Sequence, residues 1–393
     1  MTEQFNQIDK KIRKAFATWG KINETDVKIL EGMSLLGPRN ITLIARHLDL
    51  PTTTVRYRVN RMLEKSILFL HLNVYHTYLG LKKAVIYAEA VIGKEELLLK
   101  CLKKLDYWIF LCRIYGPFEG CAAIYTVPKG RDEEFISYLN HLKKIGVAKS
   151  FEVNWTTCHE GIPVRTRWFD NEEGIWIFNW DEWIKEVETI DGELPWTMVE
   201  PTDWPTLVDY EDLLIIKELE IDGKKTLSDI SRKMKIPLET IKYHYREHIQ
   251  KRGMIEGYQV EIYRFPSLLC EYLFFKFEFN TYEQFKRFSL SLHDKPFPFH
   301  MGKILGENSV SSHIYLPKWE YRKFVDALGI LKNKGLLKNY TCYIQDALKV
   351  WRETIPYQHF KDGKWEYNLD PVYEKVEEYV KEHKKKYRKS SLF

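Results

Sequence analysis

Six cysteines (Cys101, Cys112, Cys121, Cys158, Cys270 and Cys342) are scattered through this 393-residue chain without a single C-x-x-C pair. That spacing argues against a zinc ribbon and against a disulfide framework, and a reducing cytoplasm is the expected setting. No run of about 18 apolar residues occurs, so no membrane-spanning helix is expected. Met1 to Gly20 carries Lys10, Lys11, Arg13 and Lys14 and lacks the apolar stretch of a secretion signal. A P-loop, a Ser-His-Asp grouping and a metal-ligand spacing are missing as well. Charge of one sign is also scarce, since 60 Lys and Arg stand against 55 Asp and Glu, for a net charge of +5. Any contact with nucleic acid must therefore come from local clusters. What is present is ample core material, 45% apolar and 15% aromatic, which excludes overall disorder and suits two to four domains.

The chain repeats itself. Asp26–Leu68 lies over Asp212–Met254 without a gap at an offset of 186, matching Gly37 with Gly223, Ile44 with Ile230, Pro51 with Pro237 and Tyr57 with Tyr243. Further on the offset becomes 189, where Pro128, Phe135, Leu142 and Gly146 meet Pro317, Phe324, Leu331 and Gly335. The stretches beginning at Gly174 and Gly363 match at that same offset. Pro195, Pro201 and Pro205 interrupt regular structure between the two copies.

Each copy opens with three short helices. Val27, Leu30, Met33 and Leu36 recur at helical spacing before Gly37-Pro38. Asn40 and Thr226 are N-caps of the second helix, and Pro51 and Pro237 open the third. Residues 67–75 and 254–263 then read as the strands of a small wing, completing a winged helix-turn-helix. Strand, helix, two strands, helix and strand follow over 83–155, and again over 270–344. The predicted class is α+β, two winged helix-turn-helix domains alternating with two ferredoxin-like βαββαβ domains. The expected divisions are 1–78, a first winged helix with an N-terminal helix; 79–190, a βαββαβ domain with a Trp-rich extension; and a linker, 191–209. The second winged helix is 210–266, the second βαββαβ domain with its extension 267–370, and a basic tail 371–393.

The D-x-x-I-L/I-x-x-L and I-A/S-x-x-L/M patterns, the Pro turn, and the Gly-Met-Ile-Glu-Gly-Tyr of residues 253–258 resemble the Lrp/AsnC transcriptional regulators. The likeness covers about 26–155 and 212–345. The Trp-rich hairpin and helix after each unit lie outside that family's plan. The resemblance implies a pair of winged helices presented to double-stranded DNA, here by one chain acting as a pseudo-dimer on an asymmetric operator, with further homo-oligomerisation possible. It also implies a small-molecule effector, such as an amino acid, near the β2–β3 turn formed by Tyr115, Gly116, Phe118 and Glu119.

On a helical wheel of the third helix, Val55, Val59, Met62 and Leu63 face the core. The outer arc carries Thr53, Tyr57, Asn60 and Arg61, with Thr54, Arg56 and Arg58 beside it, the donors and acceptors that read base edges and phosphates. In the second copy Ile241, Tyr245 and Ile249 face inward. Glu239, Thr240, Lys242, Tyr243, His244 and Arg246 make up the DNA face there. An ordinary solvated helix face on an interaction module is the competing reading. His244 and His248 are spaced i, i+4, yet the sequence shows no third ligand beside them, and no metal is expected. Cys158-His159-Glu160 reads as loop, and Trp168, Trp176, Trp180 and Trp183 as core and interface. Glu160–Glu193 holds ten acidic and three basic residues, whereas Lys381–Lys389 holds six basic and one acidic, so only the latter suits DNA.

Siroheme decarboxylases resemble the same paired plan. Their His-Asn-Tyr and Tyr-Asn-Leu-Trp type motifs have no counterpart here on a comparable strand. The expectation is accordingly a regulator without enzymatic activity or cofactor, with a non-specific architectural DNA binder as a further alternative.

Overall fold

The computed structural model describes residues 22–157, 160–172, 174–262 and 269–390. The expected N-terminal helix within 1–21, and Cys158 and His159, lie outside them. In the first copy α1 (Glu24–Leu36), α2 (Ile41–His47) and α3 (Thr52–Glu64) form the helix-turn-helix. Asn23 and Asp26 make a reciprocal capping box that starts α1, and Asn40 accepts from the Leu43 N–H to start α2. Next come β1 (Leu68–Val74), β2 (Leu81–Ala90), α4 (Glu95–Lys104), β3 (Trp108–Tyr115), β4 (Gly120–Pro128), α5 (Asp132–Lys144) and β5 (Ala148–Thr156). An extension holds β6 (Glu160–Gly161), a hairpin of β7 (Phe169–Asp170) and β8 (Ile175–Trp176), and α6 (Trp180–Thr189).

The second copy repeats the order. It runs α7 (Tyr210–Ile221), α8 (Leu227–Met234), α9 (Leu238–Tyr243), β9 (Ile255–Ile262), β10 (Cys270–Glu278), α10 (Tyr282–Leu292), β11 (Pro298–Lys303), β12 (Ser309–Pro317), α11 (Lys318–Asn333) and β13 (Asn339–Arg352). Its extension is β14 (Phe360–Lys361), β15 (Lys364–Trp365) and α12 (Asp370–Ser390). Helix α9 passes directly into a π-helical stretch, His244–Gln250, which has no counterpart in α3.

Each βαββαβ unit is an antiparallel sheet of the split ferredoxin type, ordered β5-β2-β4-β3 and β13-β10-β12-β11. The two sheets join along β3 and β13, where Tyr115 faces Ile344. They meet again where Thr156 bridges Ile304 and the Leu305 N–H donates to the Trp155 carbonyl. These seams are equivalent under the repeat, and together they close the eight strands into a barrel. Strand alternation sorts the side chains: Ala84, Ile86 and Ala88 face the outer helices, while Val85 and Tyr87 face the lumen with Phe110, Cys112, Phe274 and Tyr343. The Tyr87 and Tyr343 rings stack 4.4 Å apart across it.

The extensions cross over. Trp180, Trp183, Ile184 and Val187 of α6, which follows the first sheet, are buried in the core of the second. Trp183 Nε1 donates to Ser291 Oγ at 3.0 Å and Trp180 Nε1 to Glu320 Oε2 at 2.8 Å. In return Phe360 and the Val372, Val376 and Val380 stripe of α12 join the core around the first sheet, and Trp365 Nε1 donates to the Leu79 carbonyl at 2.6 Å. Each half is thus completed by the other's arm.

The wing differs from the sequence expectation. Among the described residues the wing is shared: β1 pairs antiparallel with β9, from Leu68 opposite Ile262 to Val74 opposite Ile255. Each copy supplies a single strand here, and a lone strand leaves both edges unpaired, so the copies pair with each other.

Candidate active site at the barrel mouth

Between the shared wing, the barrel mouth and α7 lies a cavity of about 480 Å³. Its walls come from both copies. β1 supplies His71, the turn after it His76, β2 Lys83, β3 Phe110, α7 Lys217 and Glu220, β9 Glu256 and Gln259, β11 His300, and the end of β13 Arg352. Lys83 precedes Val85 and Tyr87 on the lumenal face of β2, which places its ammonium at the barrel's open end with the residue only 7% exposed.

Burial governs the chemistry of this cavity. Glu220 is half-buried and lines the cavity; burial raises its carboxyl to about 8, outweighing the Ile355 N–H that donates to Oε2 at 3.0 Å and the pull of Lys83. At neutral pH it therefore keeps its proton. His76 is pushed well below the usual imidazole range by burial and then by Lys83, and neither ring nitrogen has a hydrogen-bond partner of normal geometry. His71 and His300 are lowered by burial as well, His71 despite its neighbour Glu261. His313, one layer further into the lumen, lies 5.3 Å from the His300 ring, stacks on Phe274 at 4.5 Å, and is held at about 3 by burial and Arg352. Burial would raise buried Glu261, but Arg352, 3.3 Å away, reverses the shift and lowers it. The cavity thus combines fixed positive charge, neutral imidazoles with lone pairs at pH 7, and a carboxylic acid able to donate a proton.

The second half has a smaller matching cavity, about 240 Å³, lined at equivalent positions by Ser34, Asn73, Pro163 and Arg165. Strand pairing makes Lys83 equivalent to Tyr272, Ile109 to Phe299 and Thr126 to Tyr315. Those three rings fill the position, with Tyr272 4.9 Å and Phe299 5.2 Å from Tyr315.

The residues expected to meet DNA are not at this cavity. On α3, Thr53, Arg56, Tyr57 and Asn60 are exposed, Tyr57 by 68%. Arg58 and Arg61 turn inward instead, to Asp26 Oδ1 at 2.9 Å and Oδ2 at 2.7 Å, and Thr54 is half-buried. In the second copy Glu239, Thr240, Tyr243 and Arg246 are exposed, Lys242 pairs with Glu239 at 2.6 Å, and His244 turns to Asp212. The Tyr115, Gly116, Phe118 and Glu119 turn sits on the β3–β13 seam, at the far end of β3 from the cavity. Tyr115 Oη donates to Asp346 Oδ2 at 3.3 Å, Phe118 packs 5.1 Å from the Tyr343 ring, and Glu119 is exposed. Gly116 has φ +149°, and a Cβ there would meet the Cys342 carbonyl oxygen at 2.8 Å, so glycine serves the seam.

Sequence reasoning passed over His71, His76, Lys83, Glu220, His300 and Arg352. The signal available was internal: a lysine on the same strand face as Val85 and Tyr87, and histidines in β11 and β12 where the first copy has Phe110 and Ile124.

No protein-family model and no curated protein sequence matches this chain. Two solved structures share its fold. The siroheme decarboxylase NirDL superposes with a TM-score of 0.52 at 10% identity, covering 92% of this chain and 100% of its own. The same decarboxylase in complex with an iron-uroporphyrin III analogue gives 0.51 at 10% identity, with 92% and 99% covered. The likeness is one of fold, a duplicated α+β plan. It corrects one expectation. An enzyme shares this two-copy architecture, so the lack of familiar catalytic motifs does not make the chain a non-enzyme. Among the described residues no helix is long and apolar enough to cross a membrane.

Proposed function

We propose that the chain is an enzyme that binds a carboxylate-bearing substrate in the barrel-mouth cavity and removes a carboxyl group from it. The observation that carries this reading is the convergence of Lys83, Arg352, buried imidazoles and the proton-bearing Glu220 on one cavity. Decarboxylation releases CO2 and leaves its bonding electron pair on carbon, where a proton must take its place. Lys83 and Lys217 suit the anion, and Glu220 suits proton delivery. The neutral imidazoles of His71, His76 and His300 have the lone pairs to approach a metal-bearing substrate. An iron tetrapyrrole carboxylate, the ligand class of the structurally similar decarboxylase, is the first substrate to test.

Anaerobic titration with iron-uroporphyrin III, followed by its absorption band and by mass spectrometry for loss of CO2, tests the proposal. Saturable binding with CO2 loss is expected, and Lys83→Tyr, which installs the second half's residue, should abolish both. Binding that persists in Lys83→Tyr would place the substrate elsewhere.

A second reading, sequence-specific DNA binding by a transcriptional regulator, draws on the exposed Thr53, Arg56, Tyr57 and Asn60 face of α3. Selection of bound fragments from random DNA, repeated with Tyr57→Ala, tests it; an unchanged selection removes this reading.

A further inference from the structure

We propose that Asp209, Asp212, His244 and His248 form a site for a divalent transition-metal ion of the zinc class, fastening the π-helical stretch to the first turn of α7. One donor atom from each of the four lies within 4.8 Å of the others. His244 Nδ1 is 2.9 Å from Asp212 Oδ1 and 3.5 Å from Asp209 Oδ1, and His248 Nδ1 is 3.2 Å from Asp212 Oδ2 and 3.4 Å from Asp209 Oδ2. A tetrahedral ion with bonds of about 2.0–2.2 Å has edges of about 3.3–3.6 Å, so small side-chain rotations would seat it.

The repeat shows how this cluster differs from its counterpart. At the offset of 186, Asn23 corresponds to Asp209, Asp26 to Asp212, Arg58 to His244 and Arg61 to Glu247. In the first copy one buried carboxylate meets two guanidinium groups, and Arg58 also donates to Asn23 Oδ1 at 3.0 Å. The second copy gains a carboxylate and loses both arginines, and among the described residues no lysine or arginine pairs with Asp209 or Asp212. Two carboxylates and two imidazoles that offer lone pairs make a donor set of charge −2, which a divalent cation cancels. The backbone makes the same point independently. The π-helical turn begins at His244, and its extra residue per turn keeps positions i and i+4 on one side, with the two rings 4.8 Å apart.

The test uses the untagged full chain, stripped with a chelator and titrated with Zn²⁺ by calorimetry and Co²⁺ by absorption. Expected are one zinc ion per chain at this site, a raised melting temperature, and the intense visible bands of four-coordinate cobalt. Asp209→Asn keeps the helix cap and installs the residue of the first copy, and it should weaken binding by ~10-fold or more; His248→Ala should abolish the cobalt bands. Binding unchanged in Asp209→Asn would place the ion on other imidazoles and overturn the proposal. Melting that shifts with pH but not with zinc would make the cluster a proton-held clamp and overturn it equally.

Discussion

Arg61 Nη2 donates to Asp26 Oδ2 at 2.7 Å, and Asp26 is fully buried, so this guanidinium belongs to the interior of the first helix-turn-helix. Arg61→Ala leaves the carboxylate with Arg58 and the Asn23 N–H and should lower unfolding free energy by ~2 kcal/mol, read from urea titration. Tyr57→Ala on the exposed face of the same helix should change it by less than about 0.5 kcal/mol. An equal loss in both would show that the Asp26 pair contributes nothing special.

Glu220 gives the protein a neutral-pH sensitivity. From about pH 4.5 to 8 the folded chain holds a proton that the unfolded chain has released, so stability falls as pH rises through this window. Glu220→Gln should remove that slope and melt a few degrees higher than the parent at pH 8, with little difference at pH 4. Parallel melting curves for the two proteins would show that Glu220 ionises normally.

His313 acts in the opposite direction. Its folded value near 3 lies below that of an unfolded histidine, so the folded chain binds fewer protons between those limits, and stability is lost as pH falls from about 6.5 toward 3. His313→Leu, closer to the Ile124 of the first copy, should flatten the acid limb of a stability profile measured by chemical denaturation. His76 and His300 share the same sign, so a shallower rather than absent slope is expected.

The crossed arms predict that the linker is not what holds the halves together. Co-expressed fragments 1–200 and 201–393 should purify as a one-to-one complex. Trp183→Ala, which removes a buried ring and its hydrogen bond to Ser291, should cost ~3–5 kcal/mol and weaken that complex. Fragments that fold separately and do not associate would contradict the exchange.

The helices, both βαββαβ units and the buried arc of α3 were legible because their information is local: apolar period, caps and turn residues. The repeat made the duplication plain. What escaped is what depends on the copies meeting. The shared wing needs β1 to find β9, some 180 residues away, and nothing in either strand names its partner. The cavity escaped for the same reason, since His76 and Arg352 become neighbours only when the barrel closes. Arg61 was assigned outward because a helical wheel places a residue by angle; a long side chain can bend back to a buried Asp26 from an outer position. His244 and His248 showed their spacing, while Asp209 and Asp212 lie on another helix.

The closed barrel has a consequence for how its two halves can change. Identical subunits in a dimer must carry every substitution twice, on both sides of the axis. Two halves in one polypeptide are free of that rule, and the differences at matched positions show the freedom in use: Lys83 opposite Tyr272, Asn23 opposite Asp209, Arg58 opposite His244. One end of the barrel opens into a cavity of about 480 Å³, while its counterpart, beside three packed rings, keeps about 240 Å³. Symmetry here is a scaffold, and the chemistry lies where it is broken.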